Sequence, residues 1–176
     1  MRRAKSKKLI KPKKNKPIIL SHHTLPGLQQ GQEKMSKSEP SSSIFMEDEE
    51  AEVNTKIKKA YCPPEKVEGN PCLEYVKYLI FPWFHEFTVE RSEKNGGNRT
   101  FTTFEELSAA YASGEVHPGT RSQTIIGKSI EQNTGDLKPS LAKALNKILE
   151  PVRSHFKNDK SAKQLLQSVK NYRVTR

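Results

Sequence analysis

Two lysines and two serines lie within five residues of this chain, in the order Lys34, Met35, Ser36, Lys37, Ser38. Their ammonium and hydroxyl groups all donate hydrogen bonds, and none of them carries negative charge. Such donors stabilise a polyphosphate far better when they are held together than when they are dispersed. The segment 34–38, called the phosphate loop below, is therefore predicted to bind phosphate groups. The alternative is a chance cluster of Lys and Ser in a lysine-rich chain.

The net charge of +11 is distributed unevenly along the sequence. Residues 1–38 carry a net +10, residues 39–135 a net −6, and residues 136–176 a net +7. Two basic ends around an acidic middle indicate a polyanionic partner such as RNA. A solvated surface with a disordered tail explains the charge equally well.

Other features exclude classes of protein. No apolar run approaches the roughly 18 residues of a membrane helix, so we expect no membrane partner. Two cysteines, Cys62 and Cys72, are too few for a disulfide framework, and no His/Cys spacing indicates a metal site. A reducing, intracellular compartment is the default expectation.

The periodicity of apolar residues predicts a mostly α-helical fold with one β-hairpin. Residues 1–16 are interpreted as a disordered basic leader and Pro17–Leu20 as a short buried strand, the remnant of an α/β unit. Capping residues and helical spacing predict the following helices: 47–61, Asn70 to about Phe81 with Pro82 as its stop, Thr103 to Gly114, Leu141–Phe156 and 162–169.

The hairpin is predicted from strands at 86–91 and 99–103, which the turn Asn95-Gly96-Gly97-Asn98 joins. The segment 120–135 has no period and is predicted to be loop. We expect the apolar stripes of the helices, including that of the last one, to be core.

Several motifs together carry a resemblance to a known family. The string Lys-Met-Ser-Lys-Ser matches the signature loop of class I aminoacyl-tRNA synthetases. Around it, the chain resembles the C-terminal half of tyrosyl-tRNA synthetases of the eukaryotic and archaeal type, over Lys16–Gly119 and Asp136–Arg176. The segments that carry this resemblance are 34–62, the turn 93–98, His117-Pro118, Asp136-Leu137-Lys138 and the helix 144–153. The tryptophan enzymes are the next most similar, and the turn, the His-Pro pair and Asp-Leu-Lys favour tyrosine.

The resemblance implies a domain organisation. Residues 17–46 would be the end of a Rossmann-like α/β catalytic domain with the phosphate loop, and residues 47–176 a helical anticodon-binding domain. Residues 120–135 would be an inserted loop. The leader and the insert have no counterpart in the family and are interpreted as exon-boundary or gene-model errors.

The resemblance also implies the roles of individual residues. Lys34, Met35, Ser36, Lys37 and Ser38 would bind the phosphates of ATP, a substrate that arrives with Mg²⁺.

Asn95, His117 and Asp136 would contact the anticodon of tyrosine tRNA. A carboxylate can accept hydrogen bonds from a guanine edge, and a histidine can stack on an unstacked base. The residues alone favour ordinary local roles: a turn for Asn95, the position before a proline for His117 and a helix start for Asp136.

The implied function is ATP-dependent activation of tyrosine and its transfer to tyrosine tRNA in the cytoplasm. A His-x-Gly-His motif and a tyrosine pocket occur nowhere in the sequence. We therefore expect this chain alone to be inactive, to bind L-tyrosine only together with a catalytic half, and to lack most of the surface through which the family forms homodimers. The alternatives are a non-catalytic tRNA- or RNA-binding module and an inactive truncated product.

Overall fold

The computed structural model describes residues 19–36, 39–93, 96–118, 123–125, 128–130 and 136–172. These residues are mostly helical, which confirms the predicted fold class. The elements are a 3₁₀ turn (Pro40–Ser42), α1 (Glu50–Lys59), α2 (Pro71–Tyr75), a π-helical turn (Val76–Ile80), α3 (Phe81–Phe84), β1 (Phe87–Val89), β2 (Arg99–Phe101), α4 (Phe104–Ala112), β3 (Gln123–Ile125), β4 (Lys128–Ile130), α5 (Leu137–Asn158) and α6 (Lys160–Asn171). The predicted leader, residues 1–16, lies outside the described residues. No helix within the described ranges has the length and apolar character needed to cross a membrane.

One hydrophobic core joins α1, α2, α4 and α5, the first hairpin and the segment before the phosphate loop. Helix α5 packs against α1 and contributes the buried residues Leu141, Leu145 and Leu149. Leu28 is fully buried in the same core. Its N–H donates to the Ser42 carbonyl at 2.8 Å, and its carbonyl accepts from the Tyr61 N–H at 2.7 Å. The segment that leads into the phosphate loop is thereby fixed to the helical unit.

Helix α1 forms where the sequence predicts a helix but is shorter at both ends. Glu49 and Glu52 form a reciprocal capping box, in which the Glu52 carboxylate accepts from the Glu49 N–H at 2.8 Å. This box satisfies N–H groups that the first helical turn leaves without partners. Val53 and Ile57 are fully buried, as their helical spacing predicts.

The helical stretch from Pro71 to Phe84 begins as predicted but ends later. Asn70 caps α2, since its side-chain oxygen accepts from the N–H groups of Cys72 and Leu73. The prediction that Pro82 stops the helix is wrong. A π-helical turn ends at Ile80, and α3 follows it with Pro82 in its first turn, where the missing N–H costs little. The helix ends at His85, which has a left-handed backbone with φ of 62°.

The first hairpin and the helix after it confirm their sequence signals. Strands β1 and β2 pair antiparallel with Phe87 opposite Phe101, and both residues are buried. In the turn, Gly96 and Gly97 have φ angles of 92° and 72°, which glycine adopts without strain. Helix α4 starts at the Thr103 cap, whose hydroxyl accepts from the Glu106 N–H.

The prediction that 120–135 is loop throughout is wrong. Strands β3 and β4 pair antiparallel within it, with Thr124 opposite Ser129. The segment lacks the alternation of a half-buried strand because this hairpin pairs with no other strand in the described part of the chain.

Two predicted apolar elements are not buried. Ile19 and Leu20 form no strand and are 80% and 90% exposed, so the buried-strand prediction for Pro17–Leu20 is wrong for these two residues. Pro17 and Ile18 lie outside the described residues. A strand needs neighbouring strands to hold it, and no strand of the described residues pairs with this segment.

The prediction that the last helix buries its stripe is also wrong. Leu165 and Val169 of α6 are 64% and 61% exposed. Asp159 caps α6 by accepting from the Ala162 N–H at 2.7 Å, so local signals give the helix although its apolar stripe is only partly covered.

Asn70→Ala is expected to lower the free energy of unfolding by about 2–4 kcal/mol, because it removes a helix cap and unpairs buried polar groups. Asn70 is fully buried, and its amide also donates to the Tyr111 hydroxyl at 3.3 Å and to the Lys66 carbonyl at 3.2 Å. Urea unfolding monitored by circular dichroism measures the change. Asn171→Ala, at an exposed asparagine of α6, is the matched control and should change stability by less than about 0.5 kcal/mol. Equal losses for both variants would contradict the buried role of Asn70.

Candidate functional site

The start of the phosphate loop lies beside α2. The Tyr75 hydroxyl donates a hydrogen bond to Met35 Sδ at 3.5 Å. Tyr75 is 1% exposed, and burial raises the pKa of its phenol above the ordinary value, so the hydroxyl keeps its proton. This contact connects the loop to a helix of the rigid core. Sequence periodicity gives no sign of it, because the two residues are far apart in the chain.

A cleft of about 640 Å³ opens next to the loop. Its lining residues are His22, His23, Thr24, Leu25, Lys34, Met35, Tyr78 and Leu79. His23 shapes one wall: its ring stacks on Tyr78 at 3.9 Å between centroids, and Nε2 lies 2.6 Å from Glu74 Oε2. Lys34 is exposed and has no acidic partner among the described residues, so its ammonium group is available to an anion.

Only part of the phosphate loop is described. Ser36 is half-buried, and Met35 is 37% exposed. Lys37 and Ser38 lie outside the described residues. No cluster of three or more His, Cys, Asp and Glu side chains in the described ranges has the arrangement of a metal site. The chemistry that Lys34 and Ser36 offer here is charge stabilisation by hydrogen-bond donors.

His117 and Asp136 are brought into contact although the whole insert separates them in sequence. The His117 N–H donates to Asp136 Oδ2 at 3.4 Å. The His117 carbonyl accepts from the Leu137 N–H at 3.0 Å, and the Pro118 carbonyl accepts from the Lys138 N–H at 3.1 Å. The chain therefore leaves and re-enters the helical unit at one point. Two of the three residues predicted to contact RNA bases form one site; the third, Asn95, lies outside the described residues.

The two residues of this site differ in exposure. Asp136 is 3% exposed, whereas His117 is exposed. Desolvation raises the pKa of the Asp136 carboxyl, and the hydrogen bond from the His117 N–H and the positive charge of Arg91 oppose that shift. The imidazole can stack on a base directly, whereas a base can reach the carboxylate only if the neighbouring chain moves.

A second cleft, of about 630 Å³, lies between α1 and α5. It begins close to Asp136, because Lys138 lines it and donates from Nζ to the Lys58 carbonyl at 3.0 Å. The charged residues of its lining are the cations Lys58, Lys138, Lys143, Lys147 and Arg153 and the anions Glu50 and Glu150. This excess of positive charge suits a polyanion. The sequence shows only that residues 136–176 are basic, whereas the cleft also includes Lys58 of α1.

Comparison with known proteins matches this chain to one family. A family model described as tRNA synthetases class I (W and Y) matches residues 1–150. Tyrosine–tRNA ligase 1, cytoplasmic, of Arabidopsis thaliana is 66% identical over 164 residues, which are 93% of this chain and 38% of that protein. The tyrosine–tRNA ligase of Pyrococcus horikoshii is 38% identical over an alignment 176 positions long, which covers 89% of this chain and 42% of that protein.

Solved structures agree. The tyrosyl-tRNA synthetase of Pyrococcus horikoshii complexed with L-tyrosine matches with a TM-score of 0.65 and 37% identity, over 84% of this chain and 40% of that one. The tyrosyl-tRNA synthetase of Leishmania major in complex with tyrosinol matches with a TM-score of 0.70 and 38% identity, over 91% of this chain and 28% of that one. The chain thus spans less than half the length of these relatives. The resemblance inferred from the motifs is confirmed.

Proposed function

Because the chain belongs to the class I tRNA synthetases of the tryptophan and tyrosine type, we propose that it is part of a tyrosine–tRNA ligase. Such an enzyme activates tyrosine with ATP and transfers it to tyrosine tRNA. This chain contributes the phosphate loop and the anticodon-binding part, and residues that complete the tyrosine site come from elsewhere. The observation that carries the proposal is the contact between His117 and Asp136 across the insert. The cytoplasm is the proposed location, after the name of the Arabidopsis relative.

The phosphate loop is the proposed site for the triphosphate of ATP with its Mg²⁺. The proposed ATP-binding residues are Lys34, Met35, Ser36, Lys37 and Ser38. Their ammonium and hydroxyl groups stabilise negative charge while the tyrosine carboxylate attacks the α-phosphate and pyrophosphate leaves. Lys34 supports this role because its ammonium group is exposed and lies at the cleft beside the loop. The contact between Met35 and Tyr75 places the start of the loop against the helical unit, from which the loop can close over the phosphates.

Asn95, His117 and Asp136 are the proposed contacts to the anticodon. The exposed imidazole of His117 offers a stacking surface, and the Asp136 carboxylate offers acceptors for the N–H groups of guanine. The basic cleft between α1 and α5 begins near Asp136, where it can bind the phosphate backbone of the same RNA. The corresponding domains are 17–46 with the loop and 47–176 with the anticodon site.

Binding of tyrosine tRNA tests the proposal. The full chain is titrated with this tRNA and with bulk tRNA depleted of it, at salt concentrations from about 50 to 200 mM. We expect both affinities to fall with salt while tyrosine tRNA keeps an advantage, since base contacts do not depend on released counterions. Equal affinity for the two tRNA samples at every salt concentration would contradict the proposal. The chain would then be a general RNA-binding module, the alternative that the basic cleft alone supports.

A further inference from the structure

We propose that Arg91 is a positioning residue that holds the first hairpin's turn and the His117 segment in the arrangement needed to recognise the anticodon. This inference rests on the proposed function and adds a residue that contacts neither base nor phosphate. Arg91 lies two residues beyond the end of β1 and belongs to none of the site motifs of the sequence.

The side chain of Arg91 joins two separate segments of backbone. Its Nε donates to the Gly97 carbonyl at 2.9 Å, and its Nη1 donates to the Glu115 carbonyl at 3.1 Å. The side chain is 5% exposed. Its own backbone N–H donates to Asn98 Oδ1 at 3.0 Å, which ties the start of the turn to its end. One guanidinium therefore determines how the turn sits against the end of the α4 segment.

The second of these segments leads directly into the proposed anticodon site. Glu115 is two residues before His117, and Val116 between them is buried with its N–H bonded to the Ala110 carbonyl at 3.1 Å. The His117 N–H in turn donates to the Asp136 carboxylate. A continuous series of hydrogen bonds and short backbone links thus runs from Arg91 to Asp136. Displacing the Glu115 carbonyl would displace His117.

An arginine suits this position better than other cations do. Its planar guanidinium presents several N–H donors in a fixed fork, whereas a lysine ammonium is a single point. Burial of a charge is costly unless the charge is bonded and compensated. Both carbonyls bond it here, Glu115 Oε1 lies 3.9 Å from Nη1, and the charge acts favourably on the Asp136 carboxylate.

The test compares two arginines that flank the same glutamate. Arg91→Lys keeps the charge but loses the planar fork that bonds both carbonyls, and Arg91→Gln removes the charge as well. Arg99→Gln is the control, because Arg99 is 40% exposed and pairs with the Glu115 carboxylate rather than with backbone. For each full chain, dissociation constants are measured for a stem-loop with the tyrosine anticodon and for the same stem-loop with adenine in place of the anticodon guanine.

We expect the wild-type chain to prefer the guanine stem-loop, and both Arg91 variants to lose that preference by about tenfold, while Arg99→Gln keeps it. Affinity for the adenine stem-loop should stay the same, which a general loss of folding would not produce. If the wild type shows no preference, the proposed function fails. If it shows one and folded Arg91 variants retain it, the positioning role is overturned and the proposed function stands.

A measurement on the wild-type chain covers the case in which the variants do not fold. The Arg91 Nε–H should give a slowly exchanging nuclear magnetic resonance signal, because it is buried and bonded. We expect that signal to shift on addition of the guanine stem-loop and to remain in place with the adenine stem-loop. A signal that responds to neither, or equally to both, would overturn the inference.

Discussion

Replacing Lys34 by alanine is expected to slow tyrosine activation by about 10²–10³-fold, the usual cost of removing one donor that stabilises charge in a transition state. Lys34 is exposed beside the phosphate-loop cleft and has no acidic partner in the described part of the chain. Its charge is therefore free to act on the triphosphate. Because the lysine stabilises the negative charge that builds up as pyrophosphate leaves, we expect kcat to fall far more than the KM for ATP rises.

The measurement is ATP–pyrophosphate exchange in a chimeric enzyme. The remainder of the protein is supplied by tyrosine–tRNA ligase 1 of Arabidopsis thaliana, whose matching segment is 66% identical to this chain. The control is Lys163→Ala, which removes the same charge from the exposed surface of α6. We expect no exchange by this chain alone. Exchange by the Lys34→Ala chimera at the rate of the unmodified chimera would contradict the proposed role.

Asp136→Asn is expected to reduce the preference for a guanine in the anticodon by about 1–3 kcal/mol, which is about 5- to 150-fold. Asparagine has the shape of aspartate but offers one acceptor oxygen and no charge, so it cannot accept the paired N–H groups of a guanine edge as well. Competition between the guanine and adenine stem-loops measures the loss.

The same substitution is expected not to destabilise the fold at neutral pH. Desolvation raises the folded-state pKa of Asp136 above its ordinary value. The stabilising contribution of this group is therefore present at low pH and is lost as the pH rises through the raised pKa. At neutral pH the buried carboxylate is charged at a cost, so a neutral isostere should melt at the same temperature or higher.

Asp159→Asn is the matched control for this pair of measurements. Asp159 caps α6, and asparagine caps helices about as well as aspartate does. It should change neither anticodon preference nor stability. A variant Asp136→Asn that keeps the wild-type preference, or that unfolds at neutral pH, would contradict the interpretation of Asp136 as a carboxylate retained for recognition.

Local chemistry made much of the fold predictable. The caps at Asn70 and Thr103 and the glycines of the first hairpin act within a few residues of themselves, so their effects are visible in sequence. The long period of α5 predicts its buried face for the same reason. The prediction from Pro82 fails because the helical stretch passes through a π-helical turn and continues in α3, which one proline in the sequence does not reveal.

The candidate sites were predictable as residues but not as arrangements. The motif named Lys34 and Met35, yet the contact of Met35 with Tyr75 depends on how the core packs. The family resemblance indicates His117 and Asp136, but the sequence alone does not show that these residues touch across the insert. Loop entropy grows slowly with length, so the inserted residues can be accommodated without separating the two ends. No sequence signal points to Arg91, because its partners are backbone carbonyls, which no residue pattern encodes.

The most direct measurement is a resonance-resolved titration of the full chain with the stem-loop that carries the tyrosine anticodon. If the site at the junction of the insert reads the anticodon, the His117 ring and the Asp136 carboxyl signals shift, and replacing the anticodon guanine by adenine abolishes the Asp136 shift. If shifts are confined to the lysines of the cleft between α1 and α5 while His117 and Asp136 do not respond, the chain binds RNA by charge alone and the account is wrong.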